Sequence, residues 1–281
     1  MVVTADVLEF TFKGKRVRRG ELNRRRDAII RLLCEQGEMS ATDLATRLGV
    51  SVQTIRTDLR ELDEAALVQR RHGNARLRQQ SENIGYAPRM SVARSEKQQI
   101  AIAVKSLVGD GSRVALGTGT TVEACARILA ATCKDLFVAT NNIHAVIAMQ
   151  GAEGASVSLA GGAVRLRDLD LIGTASRDFF ADYLVDIAIF SCGGISLAGE
   201  VLDYNTDEIA ARVAVAGCAV RKVLVVDQAK LGRELPCRKH VLWDYDVVVS
   251  AAAFSKEVLD KCADAGCEVV QVNALHAARL A

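Results

Sequence analysis

Two groups of polar residues in this sequence have types and spacings that suit chemistry on phosphate groups. The first is the run Gly117-Thr118-Gly119-Thr120-Thr121, which follows an apolar stretch and precedes a helical pattern. Glycines let a backbone approach a ligand closely, while amides and threonine hydroxyls at a helix N-terminus donate hydrogen bonds to an anion. The run therefore predicts a phosphate-binding loop, with an ordinary strand-to-helix turn as the alternative. It is not a Walker A loop, because no Gly-Lys-Ser/Thr follows.

Further polar residues stand after other predicted strands. Asn141 could hydrogen-bond a sugar hydroxyl, and Lys230 could neutralise a phosphate. Parallel strands place such residues at one edge of a sheet, where α/β proteins bind ligands. The alternative is that Asn141 is a plain turn residue and Lys230 a solvated surface charge. The predicted effector-binding residues are Gly117, Thr118, Gly119, Thr120, Thr121, Asn141, Gly162, Arg165 and Lys230.

The second group lies on a helical stretch in the first third of the chain. After Ser51, the apolar residues Val52, Ile55 and Leu59 recur at helical spacing, so one face of this helix is buried. The opposite face carries short hydrogen-bonding and long cationic side chains, which suit base edges and phosphates in a DNA major groove. Two extended runs around Gly73-Asn74 then predict a hairpin wing with a basic tip. The predicted DNA-binding residues are Ser51, Gln53, Thr54, Arg56, Thr57, Arg60, Arg70, Arg71 and His72.

Two further helices precede this one and position it. Apolar residues at helical spacing run from Leu22 to Gln36. Ser40 suits the N-cap of a second helix that ends at Leu48, and Gly49 supplies the sharp turn that follows. Three helices and a wing in this order predict a winged helix-turn-helix domain. A small helical subdomain used for dimerisation is the alternative.

Positive charge is concentrated at the front of the chain. Residues 1–80 hold 16 Lys and Arg against 11 Asp and Glu, whereas residues 81–281 hold 20 against 23. Basic residues crowd most densely into positions 13–26, and such a density attracts polyphosphate through counterion release. We therefore expect a basic arm that contacts DNA phosphates, with a merely solvated tail as the alternative.

Composition excludes disorder for the bulk of the chain and a membrane span. Half of the residues are hydrophobic and a quarter are charged, which is enough to bury a full core. No uncharged apolar stretch approaches the roughly 20 residues that a membrane-spanning helix needs, and the N-terminus does not match a signal peptide, so we expect a cytoplasmic protein. The eight cysteines form no C-x-x-C pair, and the four histidines show no triad spacing. We therefore expect no metal site and no catalytic residue.

Behind residue 94, extended and helical patterns alternate along the chain. This alternation predicts an α/β domain with a doubly wound, mostly parallel, Rossmann-like sheet. The candidate strands are 113–116, 136–140, 157–160, 185–190, 223–226, 247–250 and 268–272.

The front domain resembles the DeoR-type family of bacterial transcriptional regulators. The resemblance is carried by residues 39–51, which read MSATDLATRLGVS, and by residues 53–59, which read QTIRTDL. The chain departs from the family at Thr57, where a second basic residue is usual, and at Gly73-Asn74, where the family has a Gly-Gly pair. The resemblance implies a domain that binds operator DNA.

The resemblance continues through the rear domain, in the segments Gly119-Thr120-Thr121, Thr140-Asn141, Gly161-Gly162 and Lys230-Leu231-Gly232. In that family the domain senses phosphorylated sugars or related metabolites, and its fold is related to ribose-5-phosphate isomerase. Such isomerases use an acidic residue in one loop to move a proton between adjacent carbons. The matching loop here reads Ser191-Cys192-Gly193-Gly194 and contains no acidic residue. Glu208, on the following helix, is either a substitute contact or an exposed helix residue.

These observations predict an organisation in four parts: a basic arm (1–20), a winged helix-turn-helix domain (21–78, helix-turn-helix 39–58), a linker (79–94) and a sugar-phosphate-sensing effector domain (95–275). The resemblance implies a repressor of a carbohydrate catabolic or uptake operon that a phosphorylated sugar metabolite releases from its operator. The alternative is a sugar-phosphate isomerase-like enzyme.

The expected partners are double-stranded operator DNA, the phosphorylated effector and a second copy of the chain. A single recognition helix reads too short a half-site for tight specific binding, so we expect a homodimer or homotetramer. We expect no cofactor and no membrane partner.

Overall fold

Caps and glycines define the helices and turns of the front of the chain in the computed structural model. The structure describes residues 10–12, 15–17, 25–26, 28–30, 32–33, 36, 38–64, 68–71, 73–77 and 86–272. The described residues form two compact units, one drawn from 1–79 with 87–94 and the other from 80–86 with 95–281.

Between residues 10 and 77, the described part of the first unit contains two short paired strands, three helices and a three-stranded sheet. Residues 25–26, 28–30, 32–33 and 36 are helical, as expected for the first helix of the domain. The remaining elements are β1 (Phe10–Phe12), β2 (Lys15–Val17), β3 (Glu38–Ser40), α1 (Ala41–Leu48), α2 (Val52–Glu64), β4 (Val68–Arg71) and β5 (Asn74–Leu77). Most of the predicted basic arm, and His72, lie outside the described residues.

Local hydrogen bonds explain where the two helices of the helix-turn-helix begin and end. The Ser40 hydroxyl accepts the backbone N–H of Asp43 at 3.0 Å and caps α1. Gly49 closes that helix in the left-handed conformation, with φ +64°. The Ser51 hydroxyl accepts the N–H of Thr54 at 3.1 Å at the start of α2. The predicted boundaries of both helices are therefore confirmed.

The wing is an antiparallel hairpin, but its turn differs from the predicted one. Arg71 pairs with Asn74, so Asn74 is the first residue of β5 and not a turn residue. Gly73 has φ +87°, a backbone conformation that glycine adopts without a steric penalty. The predicted Gly73-Asn74 turn is therefore wrong by one residue. An unpredicted strand, β3, pairs with β5 and completes the sheet in the order β3-β5-β4.

The second unit is built on a seven-stranded parallel sheet with the order β17-β16-β14-β11-β6-β7-β8. Its strands are β6 (Arg113–Leu116), β7 (Phe137–Thr140), β8 (Ser156–Leu159), β11 (Val185–Phe190), β14 (Ala219–Val226), β16 (Val247–Ser250) and β17 (Glu268–Gln271). The order reverses between β6 and β11, which is the topological switch point of a doubly wound fold. The predicted fold class is confirmed.

Helices cover both faces of this sheet. They are α4 (Arg94–Lys105), α5 (Thr120–Thr132), α6 (Ile143–Ala148), α7 (Thr174–Ala181), α8 (Thr206–Gly217) and α9 (Lys256–Asp264). Helix α3 (Tyr86–Ser91) precedes them, and its residues from 87 onward belong to the first unit. Residues of α4, α5 and α6 form one apolar cluster with alternate residues of the strands. Residues of α7, α8 and α9 form the second cluster, on the opposite face. Helix α3 lies within residues 79–94, which the sequence had suggested to be a linker.

Two small antiparallel sheets are added to the second unit. Strands β12 (Gly194–Ile195), β13 (Glu200–Asp203) and β15 (Cys237–Val241) form one, and β9 (Val164–Arg165) pairs with β10 (Asp170–Leu171) in the other. Periodicity did not predict these strands, because several are only two residues long. None of the described helices is long and apolar enough to cross a membrane, and no cluster of three or more described His, Cys, Asp or Glu side chains could hold a metal ion.

Candidate DNA-binding surface and effector site

Helix α2 presents a polar face opposite its apolar one. Ile55 and Leu59 are buried, whereas Gln53, Arg56 and Arg60 are exposed. The buried side packs in the core of the small domain, so the exposed side chains project without being part of that core. This is the geometry of a recognition helix, in which a few side chains reach base edges.

The other predicted polar residues of α2 have local partners. The hydroxyls of Ser51 and Thr54 lie 2.8 Å apart at the N-cap, and the Thr57 hydroxyl donates to the Gln53 carbonyl at 3.1 Å. Short hydroxyls held against the helix are suited to phosphate contact near its start rather than to reaching deep into a groove. Their DNA contacts remain predictions.

A groove of about 500 Å³ separates the recognition helix from the wing. It is lined by Ala41, Thr42, Arg56, Leu59, Asp63, Arg70, Gly73 and Asn74. Two arginines, one from α2 and one from β4, therefore face a common space beside the wing turn. A guanidinium pair in such a groove favours the phosphodiester backbone of DNA. Thr42, on α1, and Asn74, on β5, were not predicted from the sequence.

Two basic residues at the end of the run 13–26 form ion pairs within the small domain. Arg25 and Arg26, on the first helix, both pair with the buried carboxylate of Asp58, and the Arg25 Nη2–Asp58 Oδ1 distance is 3.2 Å. Arg26 also pairs with Glu61. These ion pairs join the first helix to the recognition helix. Arg25 and Arg26 follow the predicted arm of residues 1–20, and their ion pairs lie within the domain.

In the second unit, the loop Gly117–Thr121 lies at the switch point of the sheet. It follows β6 and opens α5, whose Thr120 and Thr121 side chains are buried. A Cβ on Gly117 would lie 3.0 Å from the Phe190 Cβ, so the loop passes close to β11 and a side chain there would require a shift of a few tenths of an ångström. Gly119 has φ +107° and open space around its would-be Cβ. First-turn amides of a helix have no intrahelical partner, so this loop can surround an anion.

Hydrogen bonds tie the neighbouring strand ends to this loop. Asn142 Nδ2 donates to the Gly117 carbonyl at 3.2 Å, and the Asn142 Oδ1 caps α6 by accepting two backbone N–H groups. On the other side, the Thr121 hydroxyl lies 3.3 Å from the Asp227 carboxylate. The loop is thus held between the ends of β7 and β14, which makes its geometry preorganised.

Lys230 closes over the loop that follows β11. Its Nζ donates to the Ser191 hydroxyl at 2.6 Å and to the Cys192 carbonyl at 2.7 Å. Burial raises the pKa of the Asp227 carboxyl, but the charges of Lys97 and Lys230 outweigh that effect and hold this pKa below its usual value. A cation with these contacts is not a solvated surface charge, so that alternative is wrong.

The Asn141 side chain is fully buried, and only one of its two polar atoms has a hydrogen-bond partner. Its Nδ2 donates to the Leu171 carbonyl at 2.9 Å, and its backbone carbonyl accepts the Leu171 N–H at 2.9 Å. Its Oδ1 has no hydrogen-bond partner among the described residues. An orphaned buried acceptor costs free energy unless a donor such as a ligand hydroxyl or a water reaches it.

Arg165 lies beside these residues and already has two acidic partners. Its Nε and Nη2 donate to the two oxygens of Asp170, each at 2.7 Å, and its Nη1 donates to Glu208 at 2.9 Å. Asp170 forms a backbone bridge with Asn142, so the pair belongs to the same edge of the sheet. Glu208 is largely buried in this ion pair, and the alternative of an exposed helix residue is wrong. The nearby Gly162 is exposed, with φ +119°.

Comparison with known proteins assigns both units. Residues 25–81 match the DeoR-like helix-turn-helix domain, and residues 92–252 match the DeoR C terminal sensor domain. The chain belongs to the DeoR family. It is a DNA-binding transcriptional regulator with a winged helix-turn-helix unit and a sensor unit.

Among similar DeoR-family proteins, the Glycerol-3-phosphate regulon repressor of Escherichia coli (strain K12) is 35% identical over 209 residues, 74% of this chain and 82% of that protein. The HTH-type transcriptional repressor GlcR of Bacillus subtilis (strain 168) is 32% identical over 206 residues, 73% of this chain and 79% of that protein. A solved ribose 5-phosphate isomerase A from Methanocaldococcus jannaschii aligns with a TM-score of 0.36 and 20% identity, over 50% of this chain and 55% of the isomerase chain.

The loop 191–194 of this DeoR-family sensor has no carboxylate of its own, but one reaches it from another strand. Asp203, on β13, accepts the Gly193 N–H at 2.8 Å. Arg212 pairs with Asp203 at 2.9 Å and also donates to the Tyr245 hydroxyl at 2.5 Å. The loop 191–194, which has no acidic residue, is therefore held by the buried ion pair of Asp203 and Arg212.

Several residues of the sensor site were not predicted from the sequence. Asn142 and Asp227 stand in candidate loops after predicted strands but were not assigned a ligand contact, and Asp203 and Arg212 were not predicted at all. All four residues hold the loops in place. Asp227 directly follows the apolar run of β14 and directly precedes the loop of Lys230, and that position is the one signal that could have marked it. The Asp203–Arg212 pair depends on the unpredicted strand β13.

Proposed function

We propose that the chain represses genes for the uptake or catabolism of a carbohydrate, and that a phosphorylated sugar metabolite releases it from its operator. The observation that carries this proposal is the loop Gly117–Thr121, held at the switch point with open space at Gly119. Lys230, after β14, contacts the loop that follows the neighbouring strand β11. Repression is supported by similarity to proteins named as repressors, over about three quarters of this chain.

The site combines features for two parts of a sugar phosphate. Backbone amides at the start of α5, the Thr120 and Thr121 hydroxyls and the Lys230 ammonium suit a dianionic phosphate. The unpartnered Asn141 Oδ1 suits a hydroxyl donor on the carbon skeleton. A polyol or sugar bearing one phosphate would bind both the phosphate donors and the Asn141 Oδ1. Inorganic phosphate would bind only the phosphate donors.

The site is proposed to bind without catalysing isomerisation. A sugar-phosphate isomerase needs a positioned base to move a proton between adjacent carbons. The loop 191–194 carries no carboxylate, and the carboxylate that reaches it, on Asp203, is engaged by the Arg212 guanidinium and the Gly193 N–H. These partners hold Asp203 in place as a support for the loop.

We further propose that two copies pair through the β8 edge of the sensor. Among the described strands, β8 pairs only with β7, and residues 154–164 carry no charged side chain. Val157, Leu159 and Val164 are exposed there, and Leu166 is 82% exposed. Natural proteins protect a free sheet edge with charges or cover it. We propose a second copy as the occupant, because the edge carries no charge that would repel an identical edge and the DNA-binding unit needs a second half-site reader.

The pairing is tested by sedimentation equilibrium of the wild type, Leu166→Asp and Val220→Asp. Val220 is also exposed, at 70%, but lies at the start of β14. The wild type and Val220→Asp should be dimers or tetramers, and Leu166→Asp should shift toward monomer with weaker operator binding. A wild-type monomer that binds a single operator tightly would contradict the assembly proposal.

The effector is tested by fluorescence anisotropy on an operator duplex selected by the protein from a random library. Titration with glycerol 3-phosphate, hexose phosphates, their unphosphorylated parents and inorganic phosphate should release DNA only with a phosphorylated carbon skeleton. A coupling of 1–3 kcal/mol corresponds to about 5- to 150-fold weaker operator binding. Equal release by unphosphorylated sugars would contradict the proposal that the effector needs a phosphate group.

A further inference from the structure

Tyr86 is an aromatic residue buried against the sensor unit. It begins α3 and is 4% exposed. Its ring stacks on the His144 ring with centroids 3.6 Å apart and planes 8° apart. Its hydroxyl donates to the Glu123 carboxylate, and its backbone N–H donates to the Arg167 carbonyl at 3.5 Å. Side chain and backbone thus both fix this residue.

Both side-chain partners of Tyr86 belong to helices that begin at the effector site. Glu123 lies in the first turn of α5, and its N–H donates to the Gly119 carbonyl at 3.0 Å. His144 follows Asn142, the residue that caps α6 and donates to the Gly117 carbonyl. Any shift of the glycine-threonine loop therefore reaches the two groups that hold the tyrosine.

The charge of Glu123 strengthens this connection. The carboxylate is buried and has Arg127 as its ion-pair partner and the Tyr86 hydroxyl as a donor. An anion bound at the start of α5 lies about one helical turn away, and like charges in a partly dry site repel. Hydrogen-bond donors to the Glu123 carboxylate reduce that repulsion. The Tyr86 hydroxyl is such a donor, so its hydrogen bond favours anion binding at the loop.

The position of Tyr86 in the chain gives the connection a direction. Residues 80–86 belong to the sensor unit, and the next residues, 87–94, belong to the DNA-binding unit. Tyr86 is therefore the last sensor residue before the chain returns to the unit that carries the recognition helix. A change in how the sensor holds Tyr86 acts on residues of the other unit through the covalent chain alone.

We infer that Tyr86 is a positioning residue that couples the effector loop to the DNA-binding unit. It acts through Glu123 and His144, and it touches neither DNA nor effector. The inference deepens the proposed function, because it presumes that the loop is where the effector acts. Since coupling free energies are reciprocal, DNA binding must alter the loop by way of the same residue.

Reciprocity allows a test that needs no effector. Amide hydrogen exchange of residues 117–123 is measured in the full-length protein with and without the library-selected duplex, in the wild type, Tyr86→Phe and Tyr183→Phe. Tyr86→Phe keeps the stacking ring and removes the hydroxyl. Tyr183→Phe is the matched control, because its ring packs on Phe137 and Phe179, away from the loop.

The duplex should change exchange in the loop by about fivefold or more in the wild type and in Tyr183→Phe, and by less than about twofold in Tyr86→Phe. Operator affinity without effector should be the same in all three proteins, and all three should be folded at the temperature of the exchange measurement. Equal exchange changes in all three proteins, or no change in the wild type, would overturn the role of Tyr86. Failure of every sugar phosphate to release DNA would instead remove the proposed effector and leave this result standing.

Discussion

The recognition surface and the effector site of this regulator are built in opposite ways. Gln53, Arg56 and Arg60 project from one helix, and their side chains are exposed. The effector site draws on the ends of β6, β7, β11 and β14, and its polar side chains are mostly buried and hydrogen-bonded to neighbouring loops. The residues predicted to contact DNA are therefore not needed for the core of their domain, whereas the residues predicted to contact the effector also hold the loops of the sensor together.

The largest expected effect is the loss of unfolding free energy when Arg212 is removed from the sensor. Arg212→Ala leaves the Asp203 carboxylate buried without its cation, and breaking a buried pair in this way costs about 3–5 kcal/mol. The free energy of unfolding of the sensor should fall by that amount. Urea denaturation followed by the fluorescence of Trp243, the single tryptophan, measures it.

Arg238→Ala is the matched control in the same small sheet. Arg238 pairs with Glu200 on β13, but its side chain is 74% exposed, so the loss should be about 0–1 kcal/mol. Equal losses for the two variants would show that the Asp203–Arg212 pair does not hold the loop 191–194.

A smaller effect, of a different kind, is expected at the recognition helix. Arg56→Ala or Arg60→Ala should weaken operator binding by about 1–3 kcal/mol if the side chain reads a base, and should leave the unfolding free energy unchanged. Anisotropy with the selected operator and with a scrambled duplex separates loss of base reading from loss of phosphate contact.

Arg221→Ala, on the sensor strand β14, provides the control for a lost surface charge. Its operator affinity should equal that of the wild type. Unchanged affinity in both the Arg56 and the Arg60 variants would refute the recognition-helix assignment.

The DNA-binding unit was largely predictable because its signals are local. Ser40, Gly49 and Ser51 act on residues within four positions of themselves, so sequence spacing reveals both helices. The wing turn was misplaced by one residue because Gly73 and Asn74 both suit turns, and only the Arg71–Asn74 pairing decides between them. The ion pair of Arg25 with Asp58 was not predicted, because the two residues lie 33 positions apart in the chain.

The effector site was predictable only where a strand visibly ends. The strands of the parallel sheet, and with them the loop Gly117–Thr121, followed from apolar runs and glycines. The partners of Lys230 and Arg165, by contrast, lie 38 or more residues away in the first case, and 5 and 43 residues away in the second. Such contacts depend on strand order, which periodicity does not provide.

The central claim is that a phosphate at the glycine-threonine loop, supported by Lys230, releases the operator. The decisive measurement is operator release by the most effective sugar phosphate in the wild type, Lys230→Ala and Thr120→Val, with melting temperatures recorded as a check on folding. A lost charge-assisted hydrogen bond of about 1.5–3 kcal/mol should raise the required effector concentration by roughly 10- to 100-fold. Operator affinity without effector should stay at the wild-type value in both variants. Release at the wild-type effector concentration in both variants would contradict the account.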